Sequence, residues 1–348
     1  MSPFALSIFS LSLGLGTTLT FASSHWVLAW MGLEINTLAI VPLMARQHHP
    51  RPVEATIKYY LTQATAASLL LFATMLNACL TTQWQLGFDF HPLPAAFLTM
   101  ALALKVGLAP VHAWLPDVLQ GLDLTTGLIL STWQKLAPFV LLCQAAPVNP
   151  TLTTFLAVAS ILVGGWGGLN QTQLRKILAY SSIAHLGWML LVMQFSQQLA
   201  LLALTMYIFM TFSTFMVFKI NSSTTLNTLA TSWAKTPALT AVTPLILLSL
   251  AGLPPLSGFL PKWMILQELT KQDLPLTASI AALGALLSLF FYLRVSYALT
   301  LTTSPNTCTA LAPWRLLTKK SLLPLTTSTT ITTMLLPITP TAVILMFC

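Results

Sequence analysis

Apolar runs of about twenty residues follow one another along this chain, separated by short polar breaks, and that rhythm predicts its architecture. A helix needs about 20 mostly apolar residues to cross a bilayer. Breaks at Gly, Pro, Asn and clustered charges divide the chain into spans at roughly 3–22, 25–44, 56–81, 94–118, 124–145, 151–169, 175–195, 199–219, 239–271, 275–301 and 323–346. The pattern predicts an all-α polytopic membrane protein, with about eleven transmembrane helices in a single domain over residues 1–348.

Two of these spans are predicted to be discontinuous. The stretch 239–271 is too long for one crossing and carries Gly252-Leu253-Pro254-Pro255-Leu256-Ser257-Gly258 in its middle, so it reads as two half-helices. Pro261 suits the first turn of the second half. The stretch 94–118 contains Gly107-Leu108-Ala109-Pro110, where Pro110 removes a backbone donor and kinks or breaks the helix. Asp123 is a candidate N-cap for the next span. In the Thr-rich stretch 325–333, hydroxyls are expected to bond back to helix carbonyls.

Composition agrees with a membrane solvent: 6% of residues are charged and 56% hydrophobic, against about 25% charged in a soluble domain. The net charge of +8 is dispersed over short inter-helix segments, without the continuous basic face of a nucleic-acid binder. Its distribution predicts orientation. Arg46, Arg51, Lys58, Arg175, Lys176, Lys219, Lys235, Arg315, Lys319 and Lys320 fall in or beside alternate loops, and the other side holds little beyond Lys271. Positive residues mark the matrix or cytoplasmic side, so the N-terminus is expected there and the C-terminus opposite. Met1-Ser2-Pro3-Phe4 enters an apolar run directly, which reads as neither a cleaved signal nor a transit presequence.

Cys79, Cys143, Cys308 and Cys348 form no CxxC pair, and His48-His49 between Arg46 and Arg51 reads as a solvated loop, so no metal or iron–sulfur site is expected. There is no GxGxxG after a strand, no P-loop and no HExxH. The candidate chemistry lies elsewhere. Glu34, Lys105, Lys135 and Lys262 stand within apolar spans. A charge at the bilayer centre costs roughly 3 kcal/mol or more, so such residues are rare unless they line a polar path.

Lys105 and Lys262 each lie beside a predicted break, where backbone is tolerated at membrane depth only if it faces protein or water. Desolvation and a nearby carboxylate act on a lysine in opposite directions, and an amine balanced between them can load and release a proton. Glu34 is the one carboxylate central to a span and is expected to pair with Lys105. Lys135 sits mid-span, one turn from Ser131 and Thr132, which could hydrogen-bond it or water. His112 and His185 are candidate relays; a packed histidine is the alternative reading for His112. Structural salt bridges are the alternative for Lys105 and Glu34, and snorkelling for Lys262. Snorkelling is also expected of Arg294, Glu268 and Asp117 toward span ends.

Four segments carry a family resemblance: Met31-Gly32-Leu33-Glu34-Ile35-Asn36, Leu104 to Val118, Thr132-Trp133-Gln134-Lys135, and Ala251 to Lys262. Lys105 opens the pattern Lys-x-x-x-x-Pro-x-His-x-Trp-x-Pro-Asp within the second. Over essentially its whole length the chain resembles the antiporter-like, proton-pumping membrane subunits of mitochondrial NADH–ubiquinone oxidoreductase, respiratory complex I. The resemblance implies an antiporter-like bundle in the mitochondrial inner membrane, shorter than bacterial relatives by three N-terminal helices. It implies a carboxylate–lysine pair at Glu34 and Lys105, a central relay at Lys135, and a lysine near the exit at Lys262. Implied partners are the other membrane-arm subunits and membrane lipids, with cardiolipin a candidate. NADH, FMN, iron–sulfur clusters and ubiquinone would belong to the parent complex, with no cofactor in this chain. Two rivals stand beside that reading: a subunit of a cation–proton antiporter, and a purely structural spacer of the membrane arm.

Overall fold

A computed structural model of the chain describes residues 3–45, 49–86, 90–145, 149–234, 236–302 and 323–334. Its helices are α1 (Pro3–Ala22), α2 (Trp26–Met44), α3 (Pro50–Thr81), α4 (Pro92–Val106), α5 (Trp114–Gly121), α6 (Leu124–Ser131), α7 (Trp133–Ala145) and α8 (Pro150–Gly167). There follow α9 (Leu174–Met193), α10 (Gln197–Ile220), the short α11 (Leu226–Ala230), α12 (Pro237–Ala251), α13 (Phe259–Lys271), α14 (Pro275–Leu301) and α15 (Leu323–Met334). Eight segments of the described residues are long and apolar enough to cross a membrane, with α6 and α7 counted together. The two broken spans supply the shorter apolar helices α4 and α12. The architecture is all-α and polytopic. Of the last expected span, 323–346, the described part is α15.

The chain forms two compact units, residues 1–160 and 161–348. In the first, α1 lies along α2, α3 packs on α2, α4 and α5, and α7 packs on α4. Its interior is mostly aliphatic, with Leu70, Leu98, Leu102 and Leu115 almost fully buried beside Tyr59 and Phe139. In the second, α10 packs on α9, α12 and α15, while α12 and α13 pack on α14. There the interior is aromatic, built on Tyr207, Phe215, Phe218, Phe291 and Tyr292.

Both expected breaks are present, and they end their helices in the same way. Gly107 (φ 86°) and Gly252 (φ 79°) adopt the left-handed conformation that suits glycine after a last helical turn. Beyond them Leu108 N donates to Ala103 O at 2.9 Å, and Leu253 N to Leu248 O at 3.2 Å. These are the backward bonds that close a helix C-terminus. The peptides Ala109–Pro110 and Pro254–Pro255 are cis.

Three features depart from the sequence expectation. Helix α3 begins at Pro50 rather than near residue 56. A proline at the first helical position is pre-organised for the helix, and the exposed Glu54–Lys58 pair at 2.7 Å continues it beyond the apolar run. The fifth span is interrupted at Thr132, between α6 and α7. There Ser131 Oγ (3.0 Å), Thr132 Oγ1 (2.7 Å) and Thr132 N (3.0 Å) all donate to the carbonyl of Leu128. Such back-bonding bends helices. Arg294 does not simply reach outward; its guanidinium donates to Leu169 O at 2.7 Å, past the end of α8.

Asp123 takes the N-cap position of α6 through its carbonyl, which accepts from Gly127 N at 2.8 Å, but its side chain makes no cap bond. The hydroxyls of α15 do bond back, as with Thr329 to Thr326 O and Thr332 to Thr329 O, each at 2.9 Å. Glu268 pairs with Lys271 at 3.6 Å. Arg46, His48, Lys235, Arg315, Lys319, Lys320, Cys308 and Cys348 lie outside the described residues.

Gly107→Ala should lower stability by roughly 1–2 kcal/mol, because an L side chain is strained at this φ. A Cβ there would also meet Leu115 Cδ1 at 2.8 Å. Gly14→Ala, on α1 with nothing within 4 Å, should be neutral. Thermal denaturation of the two variants in native membranes makes the comparison.

Candidate functional site

In the first unit, the end of α4 meets α2 and α3 at the first break. Lys105 occupies the last turn of α4, where carbonyls carry the negative end of the helix dipole. Its Nζ lies 3.9 Å from Glu34 Oε1 on α2; the lysine side chain is 2% exposed and the glutamate 24%. Glu34 Oε2 accepts from Thr37 Oγ1 at 3.1 Å. One carboxylate oxygen is thus engaged within α2 and the other faces the amine. At 3.9 Å the contact with Lys105 is ionic rather than a hydrogen bond.

The carbonyls released at the end of α4 find other donors. Trp114 Nε1 of α5 donates to Leu104 O at 3.1 Å, and Gln63 Nε2 of α3 reaches Lys105 O at 3.5 Å. Tyr59, one turn before Gln63, packs its ring on Trp114 at 5.7 Å. The aromatic and amide side chains of α3 and α5 therefore hold the break that positions Lys105.

Lys135 lies near the start of α7 and is 3% exposed. It shares a cavity with Lys105, also lined by Asn36, Tyr59, Gln63 and Gln134, with about 20 Å³ open to the centre of a water-sized sphere. That is room for about one water molecule. The residues before Lys135 fasten α7 to its neighbours: Trp133 Nε1 reaches Leu13 O at 3.5 Å, and Gln134 Nε2 donates to Asn36 O at 3.2 Å. The hydroxyls of Ser131 and Thr132, one turn before Lys135, each donate to Leu128 O. Pro138 has no N–H for the Gln134 carbonyl four residues earlier, which leaves a further polar atom close to Lys135.

In the second unit, Lys262 sits in the first turn of α13 and its Nζ donates to Ala251 O, the last carbonyl of α12, at 2.7 Å. The amine therefore caps the helix that ends at the break, again at a negative helix end. Ser257, between the two half-helices, donates to Thr332 O of α15 at 2.6 Å. His185 is buried on α9 with its ring 5.5 Å from that of Tyr207. His112 lies in the turn between α4 and α5, half-buried, and is not among the residues lining the Lys105–Lys135 cavity. Among the described residues no three of His, Cys, Asp and Glu converge as a metal site.

Sequence reasoning singled out the charged residues and passed over the amides and the phenol around them. Tyr59 and Gln63 carried a signal: two polar-tipped side chains at i, i+4 on an otherwise apolar span share one helix face. Asn36 stands two residues after Glu34 and is 2% exposed. A fully buried amide on a membrane helix needs a partner, which marks it as a site residue.

The two broken helices, each with an amine beside its break, make this a polytopic helical membrane protein with discontinuous helices. Comparison with known proteins narrows this. The family described as "NADH:quinone oxidoreductase/Mrp antiporter, TM" matches residues 23–288, and "NADH dehydrogenase subunit 2 C-terminus" matches residues 289–343. The NADH-ubiquinone oxidoreductase chain 2 of Gadus morhua is 76% identical over 346 residues, covering 99% of each chain. That of Tetraodon nigroviridis is 64% identical over 340 residues, covering 98% of each. A chain of respiratory complex I from Thermus thermophilus superposes with a TM-score of 0.81 at 27% identity, over 97% of this chain and 80% of that one. The chain belongs to the NADH-ubiquinone oxidoreductase chain 2 family.

Trp114→Phe keeps the ring and removes the donor to Leu104 O, and leaving a buried carbonyl unmet costs about 1–3 kcal/mol. The variant should lose stability in thermal inactivation measurements. Trp166→Phe, at a side chain 76% exposed, should leave stability unchanged.

Proposed function

We propose that this chain is a proton-translocating membrane-arm subunit of respiratory complex I in the mitochondrial inner membrane, and that Glu34, Lys105, Lys135 and Lys262 carry the protons. The observation that supports this most is the Glu34–Lys105 contact of 3.9 Å beside a water-sized cavity that also takes in Lys135. Such an arrangement can change its proton count with little motion. Lys105 gives a proton to cavity water when Glu34 withdraws or is neutralised, and the water delivers one to Lys135. Lys262, held on the carbonyl end of α12, is the corresponding amine of the second unit. His112 and His185 are the proposed relays toward the surface and within the second unit.

The driving step lies in other chains. NADH oxidation through FMN and iron–sulfur clusters, with ubiquinone as acceptor, belongs to the parent complex; this chain supplies the proton-conducting groups. Its partners are other membrane-arm subunits, with lipids such as cardiolipin around the apolar helices. The one-sided distribution of basic residues supports an N-terminus on the matrix side and a C-terminus toward the intermembrane space. The two units would together form one antiporter-like domain.

Neutral isosteres test the proposal in the assembled complex, reconstituted into vesicles with NADH and quinone. Glu34→Gln and Lys105→Met should each lower coupled turnover by roughly tenfold or more, since a positioned proton-transfer group contributes about 10²–10⁴-fold. Proton-to-electron stoichiometry should fall with it. Full stoichiometry and turnover in both variants would leave these residues a structural role.

A further inference from the structure

Asn36 is the buried polar side chain that the Glu34, Lys105 and Lys135 scheme leaves without a task. It stands on α2 two residues beyond Glu34, it is 2% exposed, and it lines the cavity shared by the two lysines. Among the described residues neither its Nδ2 nor its Oδ1 has a hydrogen-bond partner. A buried amide left unmet costs about 1–3 kcal/mol, and native structures leave few such groups, so one facing a polar cavity calls for a ligand. The cavity has room for a water molecule.

Two further observations fix Asn36 in place. Its carbonyl accepts from Gln134 Nε2 at 3.2 Å, which ties this turn of α2 to the residue preceding Lys135. On its other side the amide lies against Gly16 of α1, where even a single added carbon would collide with it. The side chain is thus packed against α1 on a turn of α2 that is tied to α7, and it lines the cavity that both lysines line.

We infer that Asn36 is a positioning residue for proton transfer, its side-chain amide holding the water that links Lys105 to Lys135. This rests on the function proposed above and adds the group that orients the linking water. Nδ2–H donates to the water oxygen and fixes where its remaining lone pair and its protons point. In transfer, an Nζ–H bond of the Lys105 ammonium breaks as its proton passes to the water oxygen. One O–H bond of the same water breaks as its proton passes to the lone pair of the Lys135 amine. Lys105 ends as the amine, Lys135 as the ammonium, and the water is unchanged.

Asn36→Leu keeps nearly the same shape and removes both polar atoms; Asn36→Ser keeps a smaller donor. In assembled, reconstituted complex, Asn36→Leu should assemble and slow coupled turnover about tenfold, equal to about 1.4 kcal/mol on the barrier. It should also raise the solvent deuterium isotope effect and shift the pH–rate profile, and Asn36→Ser should restore part of each. Wild-type turnover, isotope effect and pH profile in Asn36→Leu would overturn the assignment. If Glu34→Gln and Lys105→Met also behave as wild type, the proposed function fails with it; if they are impaired, only the role of Asn36 fails. Should Asn36→Leu not assemble, a structure of the wild-type complex resolving ordered water decides. Water within about 3.2 Å of the Asn36 amide and of a lysine Nζ supports the role, and a dry cavity overturns it.

Discussion

Inside a bilayer every backbone carbonyl must find a donor within the protein, and the two broken helices are built around that requirement. A break releases the last carbonyls of one half-helix. At the end of α4, Leu104 O is met by the indole of Trp114 and Lys105 O by the amide of Gln63. At the end of α12, Ala251 O is met by the ammonium of Lys262. Beyond α8, Leu169 O takes the guanidinium of Arg294. Hydrogen-bonding side chains that would be costly in hydrocarbon thus become the donors the breaks require.

The same constraint separates the two lysines beside breaks. Lys262 precedes its own helix and reaches back across the break to cap α12, so its amine is hydrogen-bonded to backbone. Lys105 sits inside the helix that ends, with aromatic and amide groups from α3 and α5 meeting the carbonyls around it. That leaves its amine facing Glu34 and the cavity. Both ammoniums gain from the negative end of a helix dipole. Only Lys105 adds a carboxylate, so its electrostatics respond to the position of one side chain on another helix.

The spans and both breaks were legible because length, proline and glycine act locally. Gly107-Leu108-Ala109-Pro110 and Gly252-Leu253-Pro254-Pro255 interrupt a helix whatever surrounds them. The pairing of Glu34 with Lys105 was legible because Glu34 is the one central carboxylate and Lys105 the most central lysine on a broken helix. The interruption at Thr132 was not, because Ser131 and Thr132 bend a helix only when their hydroxyls donate back to a carbonyl of the preceding turn, here that of Leu128. Tyr59 and Gln63 left only a weak trace, their i, i+4 spacing on one face, and that they join Asn36 and Gln134 at one cavity depends on how α2, α3 and α7 meet.

The looseness of the Glu34–Lys105 contact follows from how its partners are engaged. Thr37 holds Oε2 on the carboxylate's own helix, and the amine makes no hydrogen bond among the described residues. What remains is charge across 3.9 Å, about 4 kcal/mol at an effective dielectric near 20. A bidentate, short pair would add directional bonds that must break before either group moves. Here a displacement of the carboxylate by an ångström or two changes the field at the lysine without severing a hydrogen bond between them. The partial exposure of Glu34, against the near-complete burial of Lys105, leaves the carboxylate as the side on which a neighbouring chain can act.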